Sequence, residues 1–346
     1  MKGSKLSTRK DSNNFKTPSF LGVYLQQITF DGLNMMVFYV LLAIILLSAV
    51  LSAYCFFRIF YSKKRTPLGD DEYEIPDGEI YEVYRDQMVE WIKQIRRMPK
   101  EDLEVVSYDG LVLKGKYYEY SPDSTIEILF HGYAGNAERD LSGAVERCFL
   151  LGRSAILVDQ RASGSSEGSV ITFGVREHLD AVTWANFINE RFDGKRKIIL
   201  TGISMGASTV LMAAGSGNIP ETVVSVIADC GYSSAKEIIK KVIKDMKLPP
   251  KLLYPFVKLG ARIFGGFDLE AFSPIEAVEN IKIPVIFIHG TDDRFVPIEM
   301  SEQLFNACKT EKAFVRTEGA GHGLAYIMDK EGYLRSVRDF EATINI

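Results

Sequence analysis

Residues 198–212 read Ile198-Ile199-Leu200-Thr201-Gly202-Ile203-Ser204-Met205-Gly206-Ala207-Ser208-Thr209-Val210-Leu211-Met212. A short, largely apolar run enters a Gly-x-Ser-x-Gly pentapeptide, and a run of helical character leaves it. A serine held between strand and helix in so sharp a turn presents its hydroxyl outward, and the flanking glycines relieve the crowding. The pentapeptide alone is a weak signal, and it occurs twice, since Gly164-Ser165-Ser166-Glu167-Gly168 also matches. Gly164 follows its strand only after several polar residues and leads into more loop. Ser204 is therefore the candidate nucleophile, and the 164–168 match reads as loop.

On both sides of this turn, from about Asp102 onward, strands alternate with helices. A hairpin opens the series, with strands over 103–107 and 111–120 joined at Asp109-Gly110. Further strands are expected over 126–130, 155–158, 198–203, 223–228, 285–289 and 313–316. Helices are expected over 137–151, 172–192, 205–215, 298–308 and 330–343. Short apolar strands alternating with helices imply a mostly parallel sheet of eight strands covered on both faces, with the hairpin as an antiparallel edge. In such sheets the ligand site lies beyond the carboxyl ends of the strands.

A serine hydroxyl is a poor nucleophile until a base takes its proton and a third group orients that base. Four histidines are available, His131, His178, His289 and His322. His178 lies within a helix and is expected to face solvent. His131 and His289 end strands just before Gly132 and Gly290, where structural turn roles suit them. His322, in Gly319-Ala320-Gly321-His322-Gly323, sits on a loop free to reach another loop. Asp292 and Asp293 follow strand 285–289, and either could be the orienting acid.

These pieces together resemble the α/β-hydrolase fold superfamily, over roughly residues 100–346. The resemblance is closest to its anchored esterase, acyl-thioesterase and serine-aminopeptidase-like branch. It rests on His131-Gly132-Tyr133-Ala134-Gly135-Asn136, the loop Asp159-Gln160-Arg161-Ala162-Ser163-Gly164-Ser165-Ser166-Glu167-Gly168, the Ser204 pentapeptide, the stretch from His289 to Pro297, and His322. The resemblance implies an eight-stranded α/β-hydrolase fold, with Ser204 as nucleophile, His322 as base and Asp293, rather than Asp292, as the acid. It also implies an oxyanion hole made by the backbone N–H groups of Met205 and Tyr133. Ala162 departs from the family loop, which usually has Gly there.

The alternation breaks over 232–272, where this fold commonly inserts a helical cap. From Tyr232 to Phe267 the cap holds eight basic residues against Glu237 and Asp245, with apolar residues interleaved. A lid packed on the core with a solvated basic face competes with a lid resting on anionic lipid. Cys230, just after a strand, reads as pocket wall.

The N-terminal part has a different character. No charged residue lies between Asp31 and Arg58, and residues 35–57 are almost wholly apolar with aromatics at both ends. Roughly 20 residues cross a bilayer, so a transmembrane helix is expected here. A cleaved signal peptide fits less well, because the leader is long and no small-x-small site follows. Arg58, Lys63, Lys64 and Arg65 favour a cytoplasmic domain, whereas the basic tail (Lys2, Lys5, Arg9, Lys10, Lys16) resists translocation, so the side stays open. The organisation read this way is a tail over 1–34, a span over 35–57, and a flank, linker and amphipathic helix over 58–99. The hydrolase domain then occupies 100–346. In the amphipathic helix, Ile80, Tyr84, Met88, Trp91 and Ile95 fall at helical spacing.

The 346 residues are 47% hydrophobic and 25% charged, with a formal net charge of −4. That balance suits a folded protein and supplies no basic field for nucleic acid. Four scattered cysteines give no CxxC pair, so neither a zinc site nor a disulfide scaffold is expected. The expected protein is a single-pass serine hydrolase acting on an ester, thioester or amide of a small acyl substrate, lipid-like or a short peptide, without cofactor or metal. A peptidase of the same fold is the alternative, with Glu270, Glu276 or Glu279 available to meet a substrate amine. A membrane-tethered, non-catalytic binding module is the other.

Overall fold

The computed structural model describes residues 20–63, 69 and 71–344. The basic tail up to Lys16, and Lys64 and Arg65 beyond the span, lie outside the described residues. The chain divides after Leu51, and the larger compact unit is Ser52–Ile346.

Helix α1 (Phe20–Ile59) contains the expected span and begins fifteen residues before it. Its segment Gly32–Ile59 is long and apolar enough to cross a membrane. At 1.5 Å per residue those 28 residues extend about 42 Å.

The larger unit holds eight strands, β1 (Glu101–Val106), β2 (Val112–Tyr118), β3 (Ile126–Phe130), β4 (Ser154–Val158), β5 (Ile198–Ile203), β6 (Val223–Asp229), β7 (Val285–Gly290) and β8 (Lys312–Thr317). They form one sheet in the order β1-β2-β4-β3-β5-β6-β7-β8. β2 runs antiparallel to β1 and β4, and every other pairing is parallel. The helices after the first are α2 (Glu79–Glu82), α3 (Arg85–Arg97), α4 (Ala137–Leu150), α5 (Glu177–Arg191), α6 (Met205–Gly215) and α7 (Ala235–Asp245). They continue as α8 (Pro250–Phe264), α9 (Pro274–Ala277), α10 (Ile298–Ala307), α11 (Ala325–Met328) and α12 (Lys330–Thr343). α7 and α8 are the expected cap.

Strand side chains alternate between two cores. Ile126, Ile128 and Phe130 join Trp184 of α5 and Val210 of α6 on one face. On the other, Leu129 meets Leu141 of α4, and Ile227 and Ile286 meet Val337 of α12. Glu127, fully buried between those apolar neighbours, is held by Arg147, Arg153 (2.7 Å) and the Thr201 hydroxyl (2.7 Å). Burial pushes its carboxyl up, but the two guanidinium groups prevail and hold it at about 2.

Helix α5 starts five residues later than its pattern implies. Phe173 and Gly174 have positive φ, and the Glu177 carboxylate accepts from the N–H groups of Thr172 and Gly174. His178 does not face solvent. It is buried, with Nδ1 2.9 Å from the Gly174 carbonyl and its ring against Phe272.

The globular unit begins well before residue 100. Phe56 and Phe60 are buried, and Phe60 packs edge-on against Phe173 and Phe267. Backbone bonds between Ser62 and Ser169 and between Ile171 and Phe60 stitch this segment to the loop before α5. Apolar residues read as lipid-facing thus serve the protein core as well. The expected amphipathic helix is broken into α2 and α3. Trp91 of α3 lies on α4 at Gly143, where an added Cβ would stand 2.6 Å from the indole ring.

Candidate active site

Ser204 lies at the carboxyl end of β5, where the backbone takes φ 58 and ψ −118 before α6 begins. Few residues other than glycine adopt a positive φ, and a strained serine is what a nucleophile elbow requires. The neighbouring glycines are dictated by space. A Cβ on Gly202 would stand 2.1 Å from the Gly206 backbone, and one on Gly206 would stand 2.0 Å from the Phe130 carbonyl oxygen. The Ser204 N–H donates to the Asp229 carbonyl at 2.8 Å, pinning the turn to β6.

The other pentapeptide folds as a loop. Ser166 is buried, donates to the Asp159 carbonyl (2.6 Å) and accepts from the Lys114 N–H (2.8 Å). Ala162 of the same loop sits at φ 60, the left-handed region where Gly carries no steric cost.

His322 Nδ1 lies 2.6 Å from Asp293 Oδ2. A carboxylate only accepts, so Nδ1 carries the proton and Nε2 is left as the basic nitrogen. Asp293 Oδ1 accepts from the N–H groups of Phe295 and Val296, both at 2.9 Å. His289 Nε2 stands 3.2 Å from Asp293 Oδ2, while its Nδ1 is 2.7 Å from the Ser301 hydroxyl. Burial would raise the Asp293 carboxyl, but the bonds from His289, His322 and the backbone hold it well below the usual range. Asp292, by contrast, is exposed.

Ser204, His322 and Tyr133 open into one cavity of about 1090 Å³. Among the described residues no hydrogen bond joins Ser204 to His322, a contact that tightens in many hydrolases only with substrate bound. Met205 opens α6, so its N–H has no acceptor within the helix. The Tyr133 hydroxyl donates to the Ile59 carbonyl at 2.6 Å, tying its loop to the end of α1. His131 accepts from the Gln160 N–H at 3.0 Å and so links two loops, a structural role as its position implied.

Three features were not legible beforehand. Residues 76–81, 83 and 84 line the cavity, and the Tyr81 hydroxyl donates to the His322 carbonyl at 3.0 Å, roofing the site with the end of the linker and the start of what read as an amphipathic surface helix. Asp229 also lines the cavity, with one carboxylate oxygen buried and without a hydrogen-bond partner. Burial pushes its carboxyl up to about 6. Cys230 is not among the lining residues. It lies beneath the site, with Sγ within 4.8 Å of donor atoms of Asp293 and His322. Burial pushes its thiol far up, which makes it a poor nucleophile and a poor metal ligand. Glu270, Glu276 and Glu279 lie outside the cavity lining and instead bond Tyr254, Ser273 and Lys309.

Comparison with known proteins agrees with this fold. The profile of a family described as alpha/beta hydrolase fold matches residues 128–273. The uncharacterized protein YqkD of Bacillus subtilis (strain 168) is 27% identical over 291 residues, 83% of this chain and 90% of the relative. The lysophosphatidylserine lipase ABHD12 of Danio rerio is 25% identical over 225 residues, 61% of this chain and 54% of the lipase. An esterase of Pyrococcus furiosus shares the fold with a TM-score of 0.58 at 22% identity, covering 80% of this chain and 99% of the esterase. The chain has the α/β-hydrolase fold. Fold and relatives support a hydrolase.

Proposed function

We propose that the protein is a membrane-anchored serine hydrolase that cleaves an acyl ester or thioester through an acyl-serine intermediate. Ser204 Oγ attacks the carbonyl while His322 Nε2 takes its proton. Asp293 fixes the tautomer and steadies the imidazolium, and the N–H groups of Tyr133 and Met205 receive the oxyanion. The protonated His322 then delivers its proton to the leaving group, and water attacks the acyl-enzyme by the same route. The observation that carries this reading is the His322–Asp293 pair, 2.6 Å apart, whose imidazole shares a cavity with a serine on a strained elbow. Anchoring through α1 rests on the length and apolarity of Gly32–Ile59. The lipase activity named for the Danio rerio relative favours a lipid-like acyl substrate.

Fluorophosphonate labelling of the membrane-expressed protein tests the proposal. Wild type should label and Ser204→Ala should not. Equal labelling of both, or none of a folded wild type, rejects it. A second reading, cleavage of an amide bearing a free amine, is favoured by the unpartnered Asp229 carboxylate in the cavity. Turnover of aminoacyl amides above short acyl esters would select it.

A further inference from the structure

The cap helix α8 is apolar on two faces. Tyr254, Val257, Gly260 and Ala261 turn inward and are buried. On the outward side Leu252 (63% exposed), Leu259 and Ile263 (58%) recur at i, i+7 and i+11, one stripe along the helix. The turn from α7 extends the stripe with Met246 (62%) and Leu248. A helix facing only water has polar residues on that side, and a continuous apolar row marks a contact surface.

The charges of the cap sort in the same way. Lys236, Lys240, Lys241 and Lys258 each pair with a carboxylate of the protein. Lys244, Lys247, Lys251 and Arg262 are exposed beside the apolar row, and no ion pair involves them among the described residues. The position of α8 adds an independent indication of the partner. Gly260 lies against the Ser52 carbonyl, where a Cβ would stand 2.4 Å away, and Phe264 packs on Phe56 at 5.9 Å. α8 therefore rests on the closing turns of α1, among the described residues the one helix long and apolar enough to span a bilayer. Exposed Tyr54 and Phe57 on those turns continue its apolar surface.

From this we infer that the α7–α8 cap is a second membrane contact, lying in the interface of the leaflet from which α1 emerges. Its apolar row sits among acyl chains and Lys244, Lys247, Lys251 and Arg262 reach anionic headgroups. The inference rests on the anchor reading but not on catalysis.

The test uses the full chain reconstituted into vesicles of phosphatidylcholine with about one-third phosphatidylglycerol. The four native cysteines are buried, so Leu252→Cys, Leu259→Cys and, as a control at the opposite end of the sheet, Lys195→Cys accept an environment-sensitive fluorophore selectively. Replacing the lipid with its acyl-brominated form should quench the two cap reporters about twofold and leave the control unchanged. Lys244→Glu, Lys247→Glu and Lys251→Glu together should remove the part of that quenching that depends on phosphatidylglycerol. A chain retained after alkaline washing whose cap reporters stay unquenched overturns this inference alone. A chain released by the wash overturns the anchor reading, and this inference with it. Blue-shifted reporters insensitive to brominated lipid but dependent on protein concentration would assign the face to a second copy, which also overturns it.

Discussion

Two stretches of this chain match the same Gly-x-Ser-x-Gly pattern and fold to opposite ends. At 164–168 the serine hydroxyl is committed, giving to the Asp159 carbonyl and receiving from Lys114. At 202–206 the serine stands at φ 58 and its hydroxyl opens into the cavity. The glycines differ as well. A Cβ at Gly164 would strike the Asp159 carboxylate at 2.2 Å, a side-chain contact, whereas at Gly202 and Gly206 it would strike backbone. Whether a serine hydroxyl is left uncommitted therefore depends on the surrounding backbone, and the motif letters are shared by both outcomes.

The sharpest way to break this contrast is to remove each hydroxyl in turn. Ser204→Ala should lower kcat by about a million-fold. Ser166→Ala should leave turnover nearly unchanged and cost about 1–2 kcal/mol of stability in a denaturant titration, because the Lys114 N–H loses its acceptor. The two adjacent acids give the next largest contrast. Asp293→Asn should cut kcat by about 10⁴ with the fold intact, and Asp292→Asn should change it by less than about twofold.

Beneath the elbow, β5 is pinned through Thr201 to Glu127, a support the 164–168 loop lacks. Glu127→Gln should lower unfolding free energy by about 3 kcal/mol, since buried Arg147 loses its counter-charge and Arg153 is left with Glu341 alone. The pH dependence has a definite sign. With its carboxyl held at about 2 in the folded chain against an ordinary 4.5, Glu127 contributes its stability above about 4.5 and loses it as pH falls through about 2. The variant should lack that acid limb, and matching pH profiles would refute the assignment. The smallest expected effect is Ala162→Gly, which relieves the left-handed alanine and should raise stability by about 0.5 kcal/mol, read as a small rise in Tm.

Ser204 was legible because strand, turn and helix are contiguous, and local geometry decides between the two pentapeptides. His322 was legible by elimination among four histidines. The choice of Asp293 over Asp292 came only from resemblance, since both follow the same strand. What escaped reading depends on contacts between distant parts of the chain. Tyr81 meets His322 across 241 residues, and nothing in the spacing of Ile80, Tyr84 and Met88 distinguishes a roof over a cavity from a surface helix. Glu127 looks out of place in its strand until Arg147 and Arg153 come from α4 and the turn beyond it. The start of the globular unit at Ser52 was hidden for another reason, as phenylalanines that face lipid and those that face protein look alike in sequence.

Tyr133 joins two tasks in one residue. In the proposed mechanism its N–H receives the oxyanion, and its hydroxyl grips the Ile59 carbonyl. A solubilising truncation at residue 100, where the alternating pattern begins, would discard that grip together with the aromatic packing of Phe60 and the roof at Tyr81. Such a fragment would be a damaged enzyme, and low activity in it would say little about the intact chain. The shortest faithful version has to keep the closing turns of the helix, and with them exposed apolar side chains such as Tyr54 and Phe57.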